Sequence, residues 1–195
     1  MKKILFLFFL QFFVISLYAQ QADFYKMLSD SAVSLTKDFV IYDPAYYKLD
    51  YPNGDVPKNK GVCTDVIIRA YRKLGVDLQK LVHEDMKTNF SKYPSQKMWG
   101  LKSTDRNIDH RRVPNLQVFF SRKGFVKPIT DKASDYQTGD IVTWDLGRGI
   151  THIGFVVDKK SKDGRRPLIV HNIGRGQVLE DCLFDWRITG HYKYK

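Results

Sequence analysis

Cys63 opens the run "CTDVIIRAYRKLG", and His152 and His171 each lie in a short β-rich run, "THIGFVVD" and "PLIVHNIG". Val66, Ile67, Ala70, Tyr71 and Leu74 share one face at helical spacing, and Gly75 supplies a left-handed stop, so the spacing predicts a helix that begins at Cys63. Free backbone N–H groups and the helix dipole stabilise an anion at that end. A thiol there, with an imidazole beside it, is the usual way to make a nucleophile at neutral pH. Two other readings stay open on the cysteine alone: a disulfide to Cys182, and a buried structural thiol.

The histidines favour the nucleophile. Strand alternation puts His152, Gly154 and Val156 on one face of their run and Ile153, Phe155 and Val157 on the other, which buries the odd face and leaves His152 on the second. A hairpin across "KKSKDGRR" that sets Asp158 opposite Arg165 also sets His152 opposite His171. His171 can then orient His152. Any pairing of even with odd positions keeps both histidines on one face, whereas a β-bulge selects Asn172 instead. Thiol, base and orienting polar group are the parts of an acyl-transfer site.

Two kinds of element have to hold these groups. Phe24, Met27, Leu28, Ala32, Leu35 and Phe39 predict a helix over residues 23–39, followed by an ordered loop, "YDPAYYKLDYPNGDVPKNKG". A short helix around Leu78, Leu81, Val82 and Met86, an irregular stretch, and "VPNLQVFFSRKG", with Pro114 as starter and Gly124 as stop, complete the helical half. After Gly124 the period is two. "GDIVTWD", "THIGFVVD", "PLIVHNIG" and "DWRITGHYKY" read as an antiparallel sheet, and helices followed by strands predict an α+β domain with its N-terminal helices packed on a C-terminal antiparallel β-sheet.

The opening "MKKILFLFFLQFFVISLYAQQ" has a short positive region, an apolar core and a small residue, Ala19, for cleavage, as in a secretory signal peptide. Residues 1–19 are expected to leave and 20–195 to form a single domain, periplasmic or secreted, with no integral membrane segment after processing. Hydrophobic residues at 43% and aromatics at 14% exclude a disordered chain. The net charge of +11 falls to +9 when Lys2 and Lys3 depart, which favours polyanionic surroundings. Basic residues come in scattered pairs without interleaved stacking aromatics, so no nucleic acid is expected as partner. Nothing fixes the oligomeric state, and a monomer is expected.

Other residues carry lesser expectations. His110, Arg111 and Arg112 could bind a substrate carboxylate through a guanidinium fork, or form a solvated loop with internal ion pairs. Trp144 and Trp186 read as core or cleft walls, and His83 and His191 as a surface and a structural histidine. No Cys or His pair has the close spacing of a metal knuckle, and no glycine-rich phosphate loop occurs, so neither a metal nor another cofactor is expected.

Taken together, "GVCTDVII", "TGDIVTWD" leading into "THIGFVVD", and "LIVHNIG" resemble the three blocks of the NlpC-type papain-like cysteine peptidases, in the same order. More narrowly, "YPNGDVP", "GVCTDVIIRAYRKLG", "LVHEDM", "NIDHRRVPNL", "GDIVTWDL" and "ITGHY" resemble the bacterial domain-of-unknown-function family 1287 over nearly all the mature chain. The broader resemblance implies a papain-like NlpC-type fold with Cys63 as nucleophile, His152 as base and His171 as the third polar residue, acting on cell-wall peptides of peptidoglycan or another amide. It also implies a carbonyl-holding tyrosine about a dozen residues before the cysteine, where Tyr51 stands. Val62-Cys63-Thr64-Asp65 departs from the Asp-Cys-Ser-Gly of many such peptidases, placing the Asp65 carboxylate where it favours the helix start and raises the thiol pKa. The same residues would serve hydrolysis or acyl transfer, and a Cys63–Cys182 disulfide would instead leave a binding module.

Overall fold

The computed structural model describes residues 20–195, so the expected signal peptide lies outside the described residues. Five helices precede a sheet. They are α1 (residues 20–35), α2 (Cys63–Lys73), α3 (Leu78–Asn89), α4 (Ser95–Trp99) and α5 (Val113–Lys123). Two short strands, β1 (Ile41–Tyr42) and β2 (Lys60–Gly61), pair in parallel across the loop that precedes α2. The remaining strands are β3 (Phe125–Val126), β4 (Ile141–Asp145), β5 (Thr151–Lys160), β6 (Pro167–Asn172), β7 (Gln177–Glu180) and β8 (Arg187–Lys193). They form one antiparallel sheet in the order β3-β8-β4-β5-β6-β7. The expected α+β class is what the chain adopts.

Local chemistry explains most of these boundaries. α2 ends where Gly75, at φ 75°, lets its N–H reach the Arg72 carbonyl and the Val76 N–H reach that of Tyr71, a left-handed cap that glycine adopts without strain. Helix α1 stops at residue 35, short of the expected 39, and Phe39 is 80% exposed. Its buried face is Tyr25, Leu28, Ala32 and Leu35, so the outer members of the apolar series, Met27 and Phe39, extended the period without marking the core. Gly147-Arg148-Gly149, all at positive φ, turn the chain from β4 into β5.

Burial on both sides of the sheet sets the site. Ile153, Phe155 and Val157 of β5 join Val66, Ile67, Ala70 and Tyr71 of α2 and Leu116, Phe119 and Phe120 of α5 in the main core. Val142, Trp144, Val156 and Ile169 point the other way and pack with Tyr136, Cys182 and Leu183 in a second, smaller core. The second face of β5 is therefore covered as well. Burying apolar surface on two faces, at roughly 25 cal/mol per Å², holds β5 firmly, and it carries His152.

Candidate active site

His152 is the second residue of β5 and His171 lies near the end of β6, with His152 Nε2 2.8 Å from His171 Nδ1 and the rings edge to face. They are on one face, as parity required, but diagonal instead of opposite. Phe155 pairs with Val170 and Val156 with Ile169, a register two residues away from the Asp158–Arg165 pairing that the sequence suggested. Nearer the turn Lys160 pairs with Pro167, a further two residues away, and because the shift between Val156 and Lys160 amounts to two residues it preserves the parity. Trp144 and Trp186 flank His152 at 5.8 and 6.0 Å between ring centroids. Burial, then the neighbouring His171, holds the His152 pKa down to about 3, so the ring is a neutral imidazole. On its far side, His171 Nε2 is 3.0 Å from Glu180 Oε2 and 3.6 Å from Cys182 Sγ.

Asn172, the alternative to His171, points away. Its side-chain N–H donates to the Gly61 carbonyl at 3.2 Å, and its oxygen accepts from the Gly174 N–H. It fastens β6 to the strand that leads into the Cys63 helix, α2.

Cys63 begins α2 as expected and is buried. Burial dominates its electrostatics and pushes the thiol up to about 12, against the backbone N–H groups of Ile153, Thr64 and Cys63, which favour the thiolate. The preformed thiolate expected from the helix terminus is thus not the resting species. The Ile153 N–H places the sulfur beside the residue that follows His152. No hydrogen bond joins the Cys63 thiol to His152 among the described residues. Both cysteines are free, with Cys63 in the main core and Cys182 in the second, so the expected alternative of a Cys63–Cys182 disulfide is not formed.

A cleft of about 380 Å³ reaches Cys63. Its walls include Tyr42, Met98, Trp99, Arg112, Ile150 and Thr151. A larger cleft of about 680 Å³ lies elsewhere, where Arg69 and Arg72 are already engaged by Asp55. Arg112 stacks its guanidinium on Trp99 at 4.1 Å from the ring centroid and faces the smaller cleft.

Several expected site residues take other roles. Arg111 is sealed against Asp65, with Nε 3.0 Å from Oδ1 and the fork completed at 3.1 Å on Oδ2, and it also donates to the Ala45 and Asp43 carbonyls. Asp65 in turn accepts the Val62 N–H at 2.7 Å. The carboxylate two residues past the cysteine therefore fixes the start of α2, and Arg111, although it borders the Cys63 cleft, spends four of its five N–H donors inside the protein. His110 is buried, with its pKa lowered to about 3 by burial and then by the nearby Arg111, Arg72 and His83, a neutral core residue. Trp144 is fully buried and donates to the Leu183 carbonyl at 2.9 Å, a floor beneath His152 and not a cleft wall. Tyr51 packs edge-on against His83 at 5.3 Å and is not part of the Cys63 cleft. Tyr42 takes that place. Its hydroxyl pKa is raised by burial and then by the charges of Cys63 and Asp65, which puts it within electrostatic reach of the sulfur. Counting back from the cysteine cannot find it, because the β1–β2 pairing folds a longer stretch of chain between them.

Among the described residues no helix is long and apolar enough to cross a membrane. The chain is 53% identical over 174 residues, 89% of its own length and 83% of the other's, to the uncharacterized protein YijF of Escherichia coli (strain K12). The family model described as "Domain of unknown function (DUF1287)" matches residues 29–194, which takes in Cys63, His152, His171 and the whole sheet, and the chain belongs to that family.

Proposed function

We propose that the protein is an exported thiol hydrolase with a papain-like NlpC-type fold, cleaving amide bonds in the peptides of cell-wall peptidoglycan. The observation that carries this reading is the 2.8 Å contact between His152 Nε2 and His171 Nδ1 beside a cysteine at a helix N-terminus. With Nε2 engaged, Nδ1 is the ring atom left to act as base. In the resting site a neutral thiol and a neutral imidazole stand close without exchanging a proton. Substrate entering the Cys63 cleft displaces water and brings the thiol within reach of Nδ1, in keeping with catalytic hydrogen bonds that tighten only in the substrate complex.

The thiol proton then passes to His152 Nδ1 as sulfur attacks the carbonyl carbon. The oxyanion receives the N–H groups at the start of α2, those of Cys63 and Thr64, which face the sulfur, and Tyr42 in the cleft wall stands ready to add its hydroxyl. His152 hands its proton to the leaving amine, and water, activated by the same nitrogen, releases the acyl group and restores the thiol. His171 holds His152 in the required tautomer throughout. The basic charge of the chain and the half-buried Arg112 that borders the cleft suit the carboxylates of wall peptides.

Incubation of residues 20–195 with a panel of wall peptides, read by mass spectrometry with the Cys63→Ala variant as control, tests this. Cleavage lost in the variant supports it. Failure to cut any member by a protein that still reacts covalently through Cys63 moves the substrate elsewhere, and products coupled to an added amine reassign the reaction as acyl transfer.

A further inference from the structure

Behind the histidine pair lies a group of donors that proton relay alone does not account for. His171 Nε2, Glu180 Oε2 and Cys182 Sγ all lie within 4.8 Å of one another. The sheet brings them together by register. Ile169 pairs with Glu180 and His171 with Val178, so Glu180 sits diagonally across from His171 on the same face, and Cys182 follows Glu180 by two residues. His171 and Cys182 are buried, while Glu180 is about one-third exposed and leaves a way in from solvent.

The donor set is one imidazole nitrogen, one thiol and one carboxylate, which suits a borderline divalent cation better than magnesium or calcium. The spacing agrees. Bond lengths of about 2.3 Å to sulfur and about 2.0 Å to nitrogen at a tetrahedral angle separate the two donors by roughly 3.6 Å. Cys182 Sγ and His171 Nε2 are 3.6 Å apart. The charges of Glu180 and Asp185 bear on both His171 and Cys182, which further favours a cation there.

We propose that His171, Glu180 and Cys182 form a binding site for a zinc-class divalent cation, and that its occupation switches off the Cys63–His152 pair. The first half stands on the donor geometry, and the second rests on the proposed thiol mechanism. Coordination at His171 Nε2, with loss of the Cys182 thiol proton to solvent, leaves the remaining His171 proton on Nδ1. That N–H donates to His152 Nε2, so His152 carries its own proton on Nδ1 and shows the thiol an N–H where the reaction needs a lone pair. Without the cation, His171 Nε2–H donates to Glu180, Nδ1 accepts from His152, and the base is free. Glu180 thus serves the relay in one state and the cation in the other.

Co²⁺ titration of the intact mature protein tests the site, because a thiolate–Co²⁺ charge-transfer band reports Cys182 directly, and zinc competition gives the affinity. One equivalent should bind in the native protein and in Cys63→Ala. Affinity should fall at least about tenfold in Cys182→Ser and, should that variant fold poorly, in Glu180→Gln, whose side chain is partly exposed. No band in native protein, or a band that persists in Cys182→Ser, overturns the site. Zinc should also slow alkylation of Cys63 by an electrophilic peptide that fills the cleft, where His152 must take the thiol proton, and leave it unchanged in Cys182→Ser. Cation binding at the triad with Cys63 alkylation unaffected overturns the switch and leaves the site standing. Because binding is read in Cys63→Ala, failure of the hydrolase reading is distinguishable from failure of this one.

Discussion

Arg111 closes on Asp65 in a two-point ion pair that solvent does not reach, Nε to Oδ1 at 3.0 Å and the second nitrogen to Oδ2 at 3.1 Å. The pair joins the turn before α5 to the first turn of α2, the helix that Cys63 begins. Removing one partner strands the other charge in the interior. Arg111→Ala should therefore lose about 3–5 kcal/mol of stability, read as a shift in denaturant midpoint. A variant with an unchanged midpoint and only a raised KM would return Arg111 to the role of substrate ligand.

Arg112 is the guanidinium that the cleft can use. It stacks on Trp99 and lines the opening to Cys63, so Arg112→Ala should raise KM about tenfold for carboxylate-bearing peptides with little change in kcat, a loss of roughly 1.4 kcal/mol of uniform binding. Steady-state kinetics on peptides with free and amidated carboxyl groups decides it. Equal losses on both would mean that Arg112 shapes the cleft without reading charge.

Cys63 should behave as a buried neutral thiol in the substrate-free protein. With its pKa pushed up to about 12 by burial, the alkylation rate should climb through the alkaline range with no plateau near neutrality. A plateau below pH 7, measured by mass spectrometry on quenched samples, would show that an ion pair with His152 exists before substrate arrives.

Asp109 offers a pH test on stability. Burial first raises its pKa from 3.8 to about 6, one oxygen accepts the Asp105 N–H at 2.6 Å, and the other has no hydrogen-bond partner. The folded state holds the proton more tightly than the unfolded one. Its contribution is therefore complete below about pH 4 and lost as the pH rises through 6. Asp109→Asn should remove that loss, so the difference in denaturant midpoint between variant and native protein should grow in the variant's favour between pH 4 and 7. A difference that stays constant over the window would mean that the carboxyl titrates normally.

The parts of the site that the sequence made legible are those set by local rules. A helix starting at Cys63 and ending at Gly75 and the shared parity of His152 and His171 both follow from periodicity and cap chemistry. The parity survived a wrong register because it depends on odd and even positions, whereas the register depends on where the hairpin takes up two extra residues. β7 was missed: "QVLE" is four residues between glycines and acids, too short to show alternation. Without β7, Glu180 and Cys182 could not be placed beside His171. The fate of Arg111 was equally hidden, since its partner lies 46 residues earlier and an arginine beside a solvated-looking turn gives no sign of burial.

The tie from Asn172 to the Gly61 carbonyl sets a limit on how this fold can vary in length. Gly61 is pinned to the strand that bears His171, and one residue later Val62 is pinned by the Asp65 carboxylate at 2.7 Å. Between those two anchors there is no slack. A Cβ at Gly61 would already come within 3.2 Å of the Asp65 side chain. Residues inserted between 61 and 63 would have to break an anchor and would rotate Cys63 out of the cleft. Residues inserted upstream of both anchors, at exposed loop positions such as Lys48, would leave both in place. Family members of different length should therefore carry their extra residues in that upstream loop and keep the two-step approach to the cysteine invariant in spacing.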